Sequence, residues 1–247
     1  MKKSFAVLVA VVLIGFAVQP GWAADVTGAA DINSAYVWRG QTFNDGLVVQ
    51  PSVDIVKGGF GLNVWGNFDI EDYNDNYESA EFSEVDISAT YVFDLDTVDL
   101  GIGYIEYLYP TTKRSGQSGT REVFGGLKVP LPLNIFLGID LFYDFDEVND
   151  LYINMGFDFS HDFTNQLSLG AGVSIAYAGD EYCADGSAGL YDYNFSISGE
   201  FALDEALSVS AFIKYTDSMD NDNLRDLNRP GTLDVNFYYG IGVSYTF

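Results

Sequence analysis

One cysteine and one histidine are all that this chain of 247 residues holds of the side chains most used for soft-metal ligation and for nucleophile–base chemistry. A lone Cys183 excludes an intrachain disulfide and a thiolate metal cluster. A lone His161, in the turn-like run His161-Asp162-Phe163-Thr164-Asn165, leaves a hydrolase with one candidate base in an unpromising place, so no catalytic residue is assigned. Basic residues are scarce as well, 11 against 36 acids, giving a formal charge of −25. That balance argues against nucleic acid as a partner and favours cations. Aromatics at 16% oppose the disorder that such a charge can bring. Long apolar runs are missing except at the start, so a membrane-embedded mature chain would have to cross as strands.

The exception at the start has a plain meaning. Lys2 and Lys3 precede an apolar run from Phe5 to Val18, then Gly21-Trp22-Ala23-Ala24. This is the pattern of a secretory signal peptide, with cleavage expected after Ala23 because that places small Gly21 at −3. An uncleaved anchor is the alternative, but about fourteen apolar residues are short for a bilayer-spanning helix. Residues 1–23 are therefore assigned to the signal and 24–247 to one exported domain.

Period-two alternation fills that domain. About twelve alternating segments run near 26–38, 47–57, 59–71, 81–93, 97–109, 120–130, 133–145, 150–160, 166–178, 190–202, 206–216 and 233–247. In the last, Leu233, Val235, Phe237, Tyr239, Ile241, Val243, Tyr245 and Phe247 form one parity, and polar or small residues the other. Tight links such as Lys57-Gly58-Gly59 and Asp204-Glu205 alternate with long polar ones at 39–46, 72–80, 110–119, 179–189 and 217–232. The link from Asp146 to Asn149 is short where a long one is due. Short turns at one end and long loops at the other predict an all-β fold: an antiparallel outer-membrane barrel of about twelve strands, both termini periplasmic.

A soluble β-sandwich also alternates. The barrel is preferred because the segments are long and because the apolar parity is graded. Aromatics (Trp38, Tyr143, Tyr177, Tyr193, Tyr215) fall at the loop side and others (Phe60, Phe93, Phe159, Phe201, Tyr245, Phe247) at the turn side, with aliphatic or small residues such as Ile139, Val173, Ile197, Ala211 and Ile241 between. The opposite parity is too acidic for a dry core. One segment, 97–109, breaks the pattern: Glu106 follows Val98, Leu100, Ile102 and Tyr104 on the apolar parity, through a bulge near Ile105 or because it stands above the hydrocarbon.

The polar parity supplies the site candidates. Asp54, Asp69, Glu84, Asp86, Asp99, Asp140, Asp158, Asp192, Glu200 and Asp234 are expected to line the lumen, with Arg39, Arg121, Lys128 and Lys214 as the few bases facing the same way. Rings of acids favour cations, so one reading is a narrow, passive, cation-preferring channel for small solutes. The other is a non-conducting barrel in which Arg39 and Lys214 pair with lumen carboxylates and fill the interior, serving a structural or surface-interaction role. The acidic loops 69–81, 144–150 and 217–226 could bridge Ca²⁺ or Mg²⁺, but none has an EF-hand spacing, so no metal or cofactor is assigned.

Two resemblances extend this reading. A terminal Phe247 two residues after Tyr245 is similar to the assembly signal of bacterial outer-membrane barrels, which implies the barrel assembly machinery as a partner during biogenesis. Outer-membrane lipid and lipopolysaccharide would surround the finished protein. The run Tyr36-Val37-Trp38-Arg39-Gly40, followed by Pro51-Ser52-Val53 and Gly61-Leu62-Asn63-Val64-Trp65-Gly66, resembles the opening of a proteobacterial family labelled Gcw_chp. The resemblance implies a secreted outer-membrane barrel and brings no catalytic residues. Arg39 reads as a rim arginine at the outer end of strand one, and Trp38, on the other parity, as part of the outer girdle.

Overall fold

The structure, a computed structural model, describes residues 24–71, 79–110, 119–183, 186–219 and 233–247. The predicted signal peptide and the middles of two acidic loops, 72–78 and 220–226, lie outside the described residues. Fourteen strands occur among those described: β1 (Asp25–Asn33), β2 (Tyr36–Trp38), β3 (Gln41–Asn44), β4 (Val48–Lys57), β5 (Phe60–Asp69), β6 (Glu81–Asp94), β7 (Asp99–Leu108), β8 (Gly119–Leu131), β9 (Ile135–Asp144), β10 (Leu151–Asp162), β11 (Leu167–Ala178), β12 (Gly189–Ala202), β13 (Leu207–Ser218) and β14 (Phe237–Thr246). Twelve close into an antiparallel barrel, each next to its sequence neighbour, and β1 joins β4 on one side and β14 on the other.

Every segment of alternation gave a barrel strand, because a side-chain period of two lets one face meet an apolar and the other a polar medium. Ile197, Ile241, Val173, Ile213 and Leu141 form an exposed aliphatic band on the outer wall. Tyr143, Tyr177 and Tyr239 flank it at the loop end, and Phe60, Phe159, Phe201 and Tyr245 at the turn end. An apolar surface with two aromatic rows is the outer face of a membrane barrel.

Two expected outward residues are inside. The first segment was predicted to run to residue 38 and to be followed by an outer loop at 39–46, but β1 stops at Asn33 and the chain turns into the barrel as the hairpin β2–β3. Arg39 and Gly40 form its two-residue turn with φ of 48° and 72°. Left-handed backbone at both positions is what such a turn requires, and Gly40 adopts it without steric cost. Trp38 is consequently not in the outer girdle; it faces the lumen and packs edge-on against Tyr107 at 5.8 Å. At the far end of the chain β14 begins at Phe237, not 233, and Leu233 is buried in the barrel's loop half rather than turned to lipid.

β7 keeps an unbroken register with both neighbours, so no bulge displaces Glu106. It stays on the outer wall at the loop end, where it accepts from Tyr104 and pairs with Arg121 at 3.2 Å, which also reaches Asp146 at 3.0 Å. Arg121 is thus an outer-wall residue, contrary to its predicted lumen position. The short link after β9 also has an explanation: Asp144 Oδ1 accepts from the backbone N–H groups of Asp146, Val148 and Asn149, folding the loop on itself.

Phe247 closes the seam, its N–H donating to the Val26 carbonyl at 2.9 Å while its ring stays 79% exposed beside Tyr245. So exposed a ring contributes little to the folded barrel. Phe247→Ala is therefore expected to refold normally in detergent but to accumulate several-fold less in the outer membrane of cells. Equal impairment in both assays would make the residue a folding contact instead of an assembly signal.

Candidate functional site: a plugged outer lumen above an open chamber

The inward hairpin is held by polar contacts to strands β5, β6 and β8, to the loop that carries Tyr182 and to the segment before β14. At its tip the Arg39 guanidinium donates twice to Glu122 on β8, Nη1 to Oε1 at 2.6 Å and Nη2 to Oε2 at 2.8 Å. Tyr107 and Tyr182 donate to the same carboxylate at 2.9 and 2.7 Å, so Glu122 accepts four bonds. The guanidinium carbon lies 4.2, 4.3 and 4.6 Å from the ring centres of Trp38, Phe142 and Tyr152. A buried ion pair of this kind persists only because its desolvation is offset by geometry and added hydrogen bonds. Burial pushes the Tyr182 phenol well above its ordinary range, which keeps it protonated and donating. Toward the rim, Tyr36 donates to Glu84 at 2.9 Å, Asn44 donates to Asp69 at 2.7 Å, and Thr42 Oγ1 accepts from the N–H groups of Asp234 and Val235.

Around the hairpin the loop half of the lumen is packed. Each barrel strand contributes a buried inward residue there, among them Asn33, Val48, Asn67, Asp144, Asp192 and Thr216. Tyr152, Ala176, Ala178, Cys183, Tyr191 and Leu233 form an apolar cluster in it, with Tyr182 and Phe142 alongside. The thiol of Cys183 is in no disulfide.

Below the hairpin the lumen opens. A chamber of about 530 Å³ lies directly under Trp38 and Arg39, lined also by Asn63, Trp65, Asp86, Asp140, Asn154 and Lys214. A second space of about 130 Å³ shares Asp140, Asn154, Ser174, Asn194 and Ser196 with it. A third, of about 310 Å³, shares Asp158 and Ser196 with the second and reaches Ser168 and Glu200 near the turn end. The three spaces share lining residues in succession from the hairpin toward the turn end.

The acids of the polar parity therefore divide by depth. Asp69, Glu84 and Asp192 are buried in the packed half. Asp86 and Asp140 line the chamber with Lys214, while Asp158 and Glu200 line the lower spaces. Asp54 accepts from Asn63 Nδ2 at 2.8 Å, and Asp99 pairs across strands with Lys128 toward the turn end. Asp234 departs from expectation: it is exposed and precedes β14 rather than standing in a barrel strand. Sequence reading passed over Glu122, although it occupies the polar parity of β8. Arg121 and Lys128 were placed on one face, yet their odd spacing puts them on opposite faces of an unbulged strand. Trp65 and Tyr107, aromatics on the polar parity, were equally visible and equally missed. His161 sits at the turn end, its ring between Phe159 and Phe163, remote from the chamber. Among the described residues no three His, Cys, Asp or Glu side chains converge to hold a metal ion.

The architecture is that of a porin-like outer-membrane barrel. The sequence matches the family described as "Bacterial protein of unknown function (Gcw_chp)" over residues 18–236, and the chain belongs to that family. No curated protein matches it. Among solved structures it is similar to the COG4313 outer membrane channel from Pseudomonas putida F1, with 10% identity and a TM-score of 0.55 over 93% of this chain and 100% of that one. It is also similar to the NanC porin (12% identity, TM-score 0.52, covering 91% and 100%) and to the KdgM porin in complex with disordered oligogalacturonate (10%, 0.52, covering 90% and 99%). These neighbours are channels, and at such identities they share the fold alone.

Proposed function

We propose that this protein is an outer-membrane channel for small solutes, non-enzymatic, whose outer half is shut by the hairpin Tyr36–Asn44 in the arrangement described. The observation that carries the reading is that a separate element does the closing. The hairpin hangs from the rim between Asn33 and Val48 and meets the wall through polar and ionic contacts and the rings of Trp65 and Tyr107, above three cavities that share lining residues in succession. A polar interface re-wets at far less cost than a dry one. Lumen acids outnumber bases below the hairpin, so cations are favoured over a polyanion such as the oligogalacturonate held by KdgM. The second reading, a non-conducting barrel, has in its favour the ring of buried residues from every barrel strand.

Planar-bilayer recording separates them. The native protein is expected to show rare openings, and a variant with 34–46 replaced by a short Gly-Ser linker to conduct steadily. Silence from the refolded linker variant would remove the channel reading. In that variant Asp140→Asn with Asp158→Asn should shift the reversal potential toward lower cation preference, and an unmoved potential would refute the acidic-lumen mechanism.

A further inference from the structure

The chamber lining is chemically specific, beyond what a passive aqueous pore needs. Trp65 on β5 pairs directly across strands with Asp86 on β6, and Asn63, two residues earlier on the same face, pairs with Ser88. An indole, its ring tilted against Tyr36 at 5.6 Å, and a carboxylate thus stand side by side. On the wall beyond, Asp140 and Asn154 form a second cross-strand pair, on β9 and β10. Lys214 on β13 lies nearly opposite Asp86 in the strand order. The Asp86 carboxyl lies in hydrogen-bond contact with that of Glu84, and its buried Oδ1 atom meets no N–H or hydroxyl donor among the described residues. A buried acceptor left unmatched costs free energy that a donor on a ligand would recover.

The charge and hydrogen-bond inventory selects among ligand classes. Carboxylates only accept, an ammonium only donates, and amides and hydroxyls do both. An anion in the chamber would face Asp86 and Asp140, with the Arg39 guanidinium already committed to Glu122. A cation, though drawn into the lumen by Asp86 and Asp140, would as a bound ligand be repelled by Lys214, and an apolar solute would leave all of these groups unmatched. A neutral ring rimmed with hydroxyls matches every group, and its flat C–H face suits the indole of Trp65. A volume of about 530 Å³ falls within the span of cavities that hold small organic ligands.

We propose that the chamber beneath the hairpin binds a neutral saccharide of one or two rings, with Trp65 and Asp86 gripping it from one wall and Asp140 and Asn154 from another. This names the substrate class of the proposed channel and rests on its chamber, entered from the turn end, but binding itself does not require conduction.

The chain provides its own reporter. Of its three tryptophans, Trp22 falls in the predicted signal peptide, and Trp38 and Trp65 both line the chamber. Micelle-refolded protein without residues 1–23 is titrated with glucose, maltose and cellobiose, with galacturonate as the anionic probe and putrescine as the cationic one. The expected result is a saturable tryptophan fluorescence change with at least one neutral sugar. Its half-saturation should rise at least tenfold in Trp65→Ala, read through Trp38, and in Asn154→Ala, which keeps both reporters should the first variant misfold. A saturable response to galacturonate or putrescine in preference to the sugars would overturn the proposal. So would no response to any probe, or sugar binding indifferent to both substitutions. Sugar binding without current from the linker variant would instead remove the channel reading and leave this one standing.

Discussion

Glu122→Ala should release the hairpin and raise the open fraction of the pore by roughly two to three orders of magnitude. Arg39 and Glu122 have side chains only 6% and 1% exposed, so removing the carboxylate strands a guanidinium away from water. Breaking a buried pair from one side costs about 3–5 kcal/mol, and each 1.4 kcal/mol is about a factor of ten. The surrounding rings retain about 2 kcal/mol of cation–π attraction at most, too little to hold the charge in place. The guanidinium is therefore expected to leave for water, taking the hairpin with it. Bilayer conductance and faster amide exchange at Tyr36–Asn44 would report the change. The double variant Arg39→Ala/Glu122→Ala strands no charge and should lie much closer to the native protein than Glu122→Ala does. A Glu122→Ala protein as silent as the native one would show that the pair does not latch the hairpin.

A lysine introduced at Ile197 should cost the barrel about 2–4 kcal/mol in lipid, the penalty for a cation at the bilayer midplane on a lipid-facing wall. Ile197 is 66% exposed and sits between the aromatic rows. The same lysine one residue earlier, at Ser196, would enter the lumen beside Asp158 and Asn194 and should change stability little. Urea unfolding in liposomes, followed by tryptophan emission, distinguishes the two. Ser196→Lys proving the more damaging would invert the assignment of faces and with it the membrane barrel.

The barrel was legible because alternation, turn chemistry and a graded aromatic pattern all agreed, strand by strand. The plug was not. Tyr36 to Trp38 continues an alternating run after Ser34-Ala35, so nothing in the period marks where β1 ends and the chain bends inward. Leu233 misled in the same way: parity says which side of a strand a residue takes, but Leu233 is not in a strand. The latch joins residues 83 apart in sequence, a distance that no spacing rule encodes. Arg39, expected at the rim on the outer end of strand one and as a partner for lumen acids, stands instead at the tip of the inward hairpin, paired with Glu122, an acid outside the expected set. The hairpin also gives the Tyr36–Gly40 run a structural part to play, since Tyr36, Trp38 and Arg39 each reach a different wall residue and Gly40 completes the turn.

Both ends of the hairpin emerge at one place, where β1 and β4 pair through Asn33 and Val48. A tongue rooted at a single point on the rim can swing without breaking a ladder bond anywhere in the cylinder. In the proposed channel, permeability and structural integrity would thereby be decoupled: the hairpin could leave the lumen well below the temperature at which the cylinder melts.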